Sequence, residues 1–596
     1  MNTDIENLFK DKVIGHPAGL FVLFFTEMWE RFSFYGMKIL LVLFLTAPFL
    51  SDNPGWDWSR ENALALIGTY SSLLYLTPIV GGYVADKITG YKWAVIIGCF
   101  IMMLGHAAMV FETTWSLYLG LALLVIGTGF FKPNITSMIS TMYKGKESKK
   151  DGAYTIFYMG VNAGAFFGMM LCGYLAENVG WSYGFGLAGI FMFLGMLQFW
   201  LAKDLFGSIG ERPSKVHEVE LPQNINEEAP IEVSKDTEEK KEKLNPFTSI
   251  DKILIVLSAI GGVLYLFNDP LSKIANINIL NFEIGGLDGS SATVLLALVL
   301  FLYLIISRIL RYTPVVRDKI FAVSIFGLFT VFFFAAFEQS LGSMTLFARD
   351  YTARALSGNS ALVFKIIDLI LTVVPLAIIT WVLYLLFKKT YSKIPYSNII
   401  LGITFAFLWY IVFYKINNEF SKDSTEVGAS WFGILNSFFI ITLAPLFSKW
   451  WESKYNPSAA MKYGIGLILL GLGFGILVFG TLGIAPGAKT ASVSMIFLIL
   501  AYLLHTMGEL CLSPVGLSYL SKLVPGRMIG FMFGIWYLAI AIGQKAAGTM
   551  GGMIDKITEE YSLSTFFLIF TLVPIAVGVV SMLLNPLLKK LMHGVR

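Results

Sequence analysis

The chain has 596 residues, 56% of them hydrophobic and only 14% charged, and a formal net charge of +4. Soluble domains carry about a quarter charged residues, so this composition excludes a water-soluble globular protein, and so small a net charge gives no support to a nucleic-acid partner. Cys99, Cys172 and Cys511 all lie in apolar runs, which argues against a disulfide framework.

The first residues, "MNTDIENLFKDK", are polar, and the apolar run after them is too long for the hydrophobic region of a signal peptide. Apolar runs near twenty residues, the length a helix needs to cross the hydrocarbon core, then fall at 18–48, 61–85, 92–112, 115–139, 153–177 and 181–202. A charged stretch at 203–250 has almost no apolar periodicity and reads as a cytoplasmic linker. Further runs follow at 251–267, 292–310, 318–348, 361–387, 396–414, 430–451, 461–483, 491–521, 528–551 and 562–590. That makes sixteen spans, of which 251–267 is barely long enough.

With a cytoplasmic N-terminus, the inside loops include "DKITGYK", "YKGKESKK", "FKKTYSK" and "SKLVPGR", while outside loops such as "SDNPGWDWSRE" and "NVGW" are poorer in Lys and Arg. The positive-inside rule expects this asymmetry. It predicts a multi-pass protein of the inner (plasma) membrane, embedded in the lipid bilayer with both termini cytoplasmic. Six spans, a linker and more spans suggest two six-helix halves around a central site. Four spans are then surplus.

The first span is anomalous. "TEMWERFSFYGMK" places Glu27, Glu30, Arg31 and Lys38 between "GLFVLFF" and "ILLVLFL". Glu27, Glu30 and Arg31 stand at i, i+3 and i+4, so they share one helix face. Four central charges cost roughly 10–14 kcal/mol on an insertion scale, against about 7 returned by the apolar neighbours. Such a helix must pair its charges around a cavity that admits water. Lys132 in "GTGFFKPNITS", Glu338 in "FFFAAFEQSLGS" and Glu509 in "LHTMGELCLSPVGLS" are further isolated intramembrane charges and candidate partners. His16, His106, His217, His505 and His593 have no metal-ligand spacing, and no nucleophile motif, zinc motif or phosphate loop occurs. The residues therefore point away from an enzyme.

Glu27-Met-Trp-Glu30-Arg31-Phe-Ser-Phe34-Tyr35-Gly36 resembles the first-helix motif of the proton-dependent oligopeptide transporters of the major facilitator superfamily. "GGYVADKITGYK" (81–92), "GTGFFKPN" (127–134), "FYMGVNAGAFFG" (157–168), "FEQS" (337–340) and "GELCLSPVGLS" (508–518) resemble further motifs of that family, in its order. The resemblance implies an all-α integral membrane protein with the major facilitator fold: two six-helix bundles plus two inserted helical hairpins. The N-terminal bundle would occupy 1–202, the linker and inserted helix pair 203–315, and the C-terminal bundle 316–596. The second insertion, a hairpin at about 357–425, is a departure from the family's usual fourteen spans, and its expected place is the lipid-facing surface. Lys365 and Asp368 within it stand at i and i+3 and are expected to pair. A second departure is Lys38, which stands where relatives commonly carry Arg and so loses the bidentate fork.

The resemblance further implies proton-coupled symport of di- and tripeptides without a cofactor, the proton serving as coupling ion. A peptide zwitterion needs both ends and its backbone held. Lys132 and Lys38 suit its carboxylate, Glu509 its ammonium, and Asn162 and Asn436 its amide. Tyr35, Tyr70, Tyr75 and Trp536 offer aromatic walls with polar tips. Glu27, Glu30, Arg31, Lys132 and Glu338 are the expected proton-coupling set, with Lys132 pairing whichever carboxylate is ionised, and Lys38 with Glu338 the expected gate. Another small substrate (nitrate, an amino acid or a drug) and a non-transporting peptide sensor remain open at this point.

Overall fold

The computed structural model describes residues 2–212, 245–523 and 529–594, so most of the expected linker lies outside the described residues. The N-terminal bundle contains α1 (Ala18–Thr46), α2 (Arg60–Val84), α3 (Tyr91–Met109), α4 (Thr114–Met142), α5 (Lys150–Asn178) and α6 (Trp181–Ala202). The inserted pair is α7 (Ser249–Ile274) and α8 (Gly289–Ile309). The second half runs through α9 (Pro314–Phe337), the extra hairpin α10 (Gly358–Thr390) and α11 (Pro395–Phe420), then α12 (Ile434–Glu452), α13 (Ala459–Thr481), α14 (Met495–Leu523), α15 (Ile529–Gly552) and α16 (Leu563–Leu583). By length and composition, fourteen helical segments among the described residues can cross a membrane. Helices α1 and α15 are outside that count, α1 because of its charges.

Two boundaries differ from the sequence reading for physical reasons. Helix α7 has 26 residues and runs well past 267, because its polar end is satisfied: Asp269 pairs with Lys545 and, at 3.1 Å, with Lys273. The span at 318–348 is broken. Helix α9 stops at Phe337, a 3₁₀ turn covers Glu338–Leu341, and a separate helix, Ser343–Asp350, follows Gly342. The break falls at the one charged residue of "FEQS", as short 3₁₀ segments at functional positions often do.

In membranes, helices associate through small residues that let backbones approach. The stretch 157–168 does this with a four-residue period. A Cβ on Gly160, Gly164 or Gly168 of α5 would meet the carbonyl oxygen of Phe24, Met28 or Phe32 of α1 at 3.0, 2.2 and 2.2 Å. Three glycines in register thus seat the charged helix against α5. Gly164→Ala is expected to force the two helices apart and lower stability by about 1–3 kcal/mol, the range for overpacking. A fall in the thermal midpoint of detergent-solubilised protein measures it; an unchanged midpoint would mean the helices separate freely.

The halves meet along α2–α15 and α5–α12. Gly68 and Gly548 bring α2 and α15 together, since a Cβ on Gly68 would lie 2.9 Å from the Gly548 Cα. Helix α7 docks on the same seam: Thr69 Oγ1 donates to the Leu266 carbonyl and accepts from Lys545 Nζ, both at 2.9 Å.

The extra hairpin lies against the N-terminal bundle although the chain inserts it into the second half. Phe405 packs edge-on against Phe25 and Trp29 of α1, Phe407 stacks on Phe191 of α6, and the Ser397 hydroxyl donates to the Gln198 carbonyl at 2.8 Å. The expected Lys365–Asp368 pair is not formed. Asp368 pairs across the hairpin with Lys415 and accepts from Trp431 Nε1 at 2.8 Å, while Lys365 donates to the Lys422 carbonyl. Lys415 also reaches Glu419 at 3.0 Å. Helix-to-helix proximity outcompetes the in-helix spacing here, because Lys415 is buried directly opposite Asp368.

Candidate functional site

Helix α1 carries its charges into the interior. Glu30 is 0% exposed, and Glu27, Arg31 and Lys38 are buried. Arg31 Nη2 donates to Glu30 Oε1 at 2.8 Å, while its Nε pairs with Glu30 Oε2 and lies 3.1 Å from Glu27 Oε1. One guanidinium thus holds both carboxylates, the arrangement the i, i+3, i+4 spacing implied. The second oxygen of Glu27 has no partner among the described protein groups. Phe34 lies beneath both cations, with Arg31 at 5.0 Å and Lys38 at 5.8 Å from its ring centre.

Lys132, from α4, is placed differently from expectation. Its Nζ sits 4.3 Å from the centre of the Tyr75 ring. It makes no ion pair with Glu27 or Glu30, which Arg31 occupies, although all three charges act on it electrostatically. A cation over an aromatic face is held weakly compared with a buried ion pair, so Lys132 can change partner without breaking a strong bond.

Lys38 and Glu338 do meet, at 2.9 Å, and join α1 to the break after α9. Other polar ties cross between the halves at the end opposite the linker. Arg60 pairs with Asp350 at 2.8 Å and Asp555 at 2.7 Å, and Arg349 Nη1 donates to Thr46 Oγ1 at 2.8 Å. Helix α5 contributes Glu177, whose carboxylate accepts from the backbone N–H groups of Ala429 and Ser430 at 2.9 and 3.0 Å, just ahead of α12.

Inside this closed end lies a cavity of about 130 Å³ whose lining includes Tyr35, Asn162, Glu338, Asn436 and Glu509. Residues from both halves therefore surround one small chamber. Asn436 Nδ2 donates to Glu509 Oε2 at 2.9 Å and to Thr506 Oγ1 at 3.2 Å, which orients the carboxylate. Asn162 Nδ2 is turned back to the Tyr158 carbonyl at 2.9 Å. Lys38, Tyr70, Tyr75, Lys132 and Trp536 lie outside the lining. Tyr70 is buried with no partner for its hydroxyl among the described groups, and Trp536 packs where a Cβ on Gly516 would fall.

Tyr158 and Tyr502 line the chamber and were not singled out from sequence. Tyr502 donates to the Ser340 carbonyl at 2.8 Å, so it also braces the turn that carries Glu338. Lys545 was missed as well. It is an isolated charge in "LAIAIGQKAAG", and the criterion that found Lys132 would have found it.

The sequence profile described as the POT family matches residues 92–277 and 407–569, together more than half of the chain. The chain belongs to the POT family. A peptide transporter of Yersinia enterocolitica subsp. palearctica is 29% identical over 589 residues, covering 97% of this chain and 96% of that protein. A di-/tripeptide transporter of Lactococcus lactis subsp. cremoris is 28% identical over 599 residues, covering 99% of this chain and all of its own. Among solved structures, a peptide transporter of the same family in complex with sulfate matches with a TM-score of 0.68 at 24% identity, over 100% of this chain and 99% of that one. At that identity the likeness establishes the fold: two helical bundles in the major facilitator arrangement, with inserted helices, in a multi-pass membrane protein.

Proposed function

We propose that this POT-family chain is a proton-coupled symporter that imports di- and tripeptides by alternating access, with no cofactor other than the coupling proton. The observation that carries this reading is the chamber itself. Carboxylates, amides and phenols from both halves converge on one cavity, and the ion pair that closes it, Lys38–Glu338, contains one of its lining residues. The relatives named as peptide and di-/tripeptide transporters support the same substrate class.

By the distribution of Lys and Arg, the N- and C-termini are cytoplasmic in the plasma membrane and the Lys38–Glu338 end faces outward. The chamber is then closed to the outside. Glu509 is assigned the peptide ammonium, and Lys132 and Lys38 its carboxylate. Asn162 and Asn436 face the backbone, and Tyr35 the side-chain space. Tyr70, Tyr75 and Trp536 act behind that first layer. Glu27, Glu30 and Arg31 form the proton-coupling set with Lys132 and Glu338. Because Arg31 already holds both α1 carboxylates, protonating one frees the guanidinium to hold the other alone, and Lys132 remains free to take the peptide carboxylate.

Uptake of labelled dialanine into proteoliposomes under an imposed inward proton gradient tests the reading. Unlabelled di- and tripeptides should compete, whereas free alanine, nitrate and tetra-alanine should not. Absence of uptake with intact binding would instead make the protein a sensor.

A further inference from the structure

Six lysines among the described residues are at least nine-tenths buried. Five of them have an oxygen partner. Lys38 meets Glu338, Lys415 meets Asp368 and Lys545 meets Asp269, while Lys92 donates to the Gly207 carbonyl and Lys365 to the Lys422 carbonyl. Lys462 is the sixth. It is 6% exposed, and among the described residues it makes no ion pair and no hydrogen bond. Its Nζ lies 4.4 Å from the centre of the Trp451 ring. An aromatic face is a weak substitute for a buried counter-charge, so this ammonium lacks an anion.

Lys462 stands in the first turn of α13, after the stretch "SKWWESKYNPS" that the distribution of Lys and Arg places on the cytoplasmic side. Lys449 and Lys454 belong to that stretch, and Lys522 of α14 acts on Lys462 electrostatically. The one carboxylate of the stretch, Glu452, accepts from the Ser448 hydroxyl at 3.3 Å. Helices α12 and α13 both pack on α14. Where the three meet, Leu443 and Phe447 of α12, Ile465 and Leu469 of α13 and Met507 and Leu510 of α14 belong to an apolar cluster separate from the main core. Four side chains of the cluster are buried and seven only partly buried, so one side of it is left to the bilayer. Trp450 and Trp451 stack at 4.5 Å and pack against Phe447 at the cytoplasmic end, the level at which tryptophans mark the membrane boundary.

We propose that this groove binds one anionic phospholipid of the cytoplasmic leaflet, with its phosphate diester on Lys462 and an acyl chain over the apolar cluster. Basic pockets between membrane helices on the cytoplasmic side hold such headgroups. A water-soluble anion would leave the groove uncovered, and a zwitterionic lipid brings an ammonium of its own that competes with Lys462 for the phosphate. The site lies apart from the peptide chamber but shares a helix with it. Leu510 and Cys511 of the cluster directly follow Glu509 of the chamber lining, so the lipid braces the turn of α14 that carries Glu509.

Native mass spectrometry of the full chain, released from micelles that contain dioleoyl phosphatidylglycerol and dioleoyl phosphatidylethanolamine in equal amounts, reads which lipid is retained first. The parent is expected to prefer phosphatidylglycerol about fivefold, the contribution of one lysine beside an anionic headgroup. Lys462→Met keeps the length of the side chain without its charge and should bring the ratio to about one. Lys462→Arg should restore it, and Lys462→Gln serves if the methionine variant does not elute as a monodisperse species. Lys590→Met, which removes an exposed lysine at the same face of the membrane, should leave the preference at the parent's value. A parent without preference, or a preference that survives Lys462→Met, overturns the proposal. So does an equal loss in Lys590→Met, since the effect would then be diffuse surface charge. The thermal midpoint in the same micelles separates the lipid from a free anion. Phosphatidylglycerol should raise it in the parent and not in Lys462→Met, and an equal rise with inorganic phosphate alone would overturn the lipid as occupant.

Discussion

Replacing Glu30 with Gln is expected to abolish uphill, proton-driven accumulation of peptide while counterflow remains measurable. Glu30 is fully buried and takes both of its hydrogen bonds from the Arg31 guanidinium. Glutamine keeps the volume and can still accept one of them, so the helix stays seated on the glycines of α5. What it cannot do is gain or lose a proton. One proton moving down 100 mV supplies about 2.3 kcal/mol, which supports a peptide gradient of about fifty-fold at 1.4 kcal/mol per tenfold. The variant should let that ratio fall to one. Arg31 then keeps a single carboxylate partner, Glu27, at 3.1 Å, and the cluster has lost one of its two titratable groups. The measurement is the steady ratio of labelled dialanine inside and outside proteoliposomes under a pH gradient, with counterflow as the control for folding and binding. Retained accumulation would move the coupling role to Glu27, whose second oxygen has no partner among the described protein groups.

The charged helix was legible in the sequence because its message is local. Three charges at helical spacing in an apolar run can only face each other, and Arg31 does bind both carboxylates. The places of most spans were legible for the same reason, since hydrocarbon thickness fixes helix length. The stretch "FYMGVNAGAFFG" stands out as a motif, but the purpose of Gly160, Gly164 and Gly168 within it emerges only when the Phe24, Met28 and Phe32 carbonyls lie opposite. Partner choice across helices was not legible. Asp368 takes Lys415, 47 residues away in sequence, over Lys365 in its own helix. Arg60 finds Asp350 and Asp555 only because the bundles close at that end. Nor does periodicity foretell that α9 breaks at Glu338, where the turn is held by Tyr502 from α14. Pairings of this kind depend on which faces of two helices meet, and the apolar pattern of a buried membrane helix hardly distinguishes its faces.

Changing Glu509 to Gln should weaken peptides with a free amine far more than their N-acetylated counterparts. Glu509 lines the chamber, and one of its oxygens is fixed by the Asn436 amide at 2.9 Å. Among the described residues no cation pairs with the other: Lys38 is held by Glu338 and Lys132 by the Tyr75 ring. An arriving ammonium therefore finds an oriented carboxylate whose charge no protein cation neutralises. Truncating one partner of such a buried pair costs on the order of 2–5 kcal/mol, or roughly 30-fold to several thousand-fold in affinity. Glutamine keeps the bond from Asn436 through its carbonyl oxygen, so the chamber wall should hold its shape and the loss should fall on the ammonium alone. N-acetyl-dialanine brings no positive end, and the variant should bind it within about twofold of the parent, well under the 1.4 kcal/mol of a tenfold change. Competition against labelled dialanine in counterflow reads both peptides in one assay, independently of the proton gradient. Equal losses for the two would remove Glu509 from the ammonium site and leave Glu338, the other carboxylate of the lining, to receive the amine.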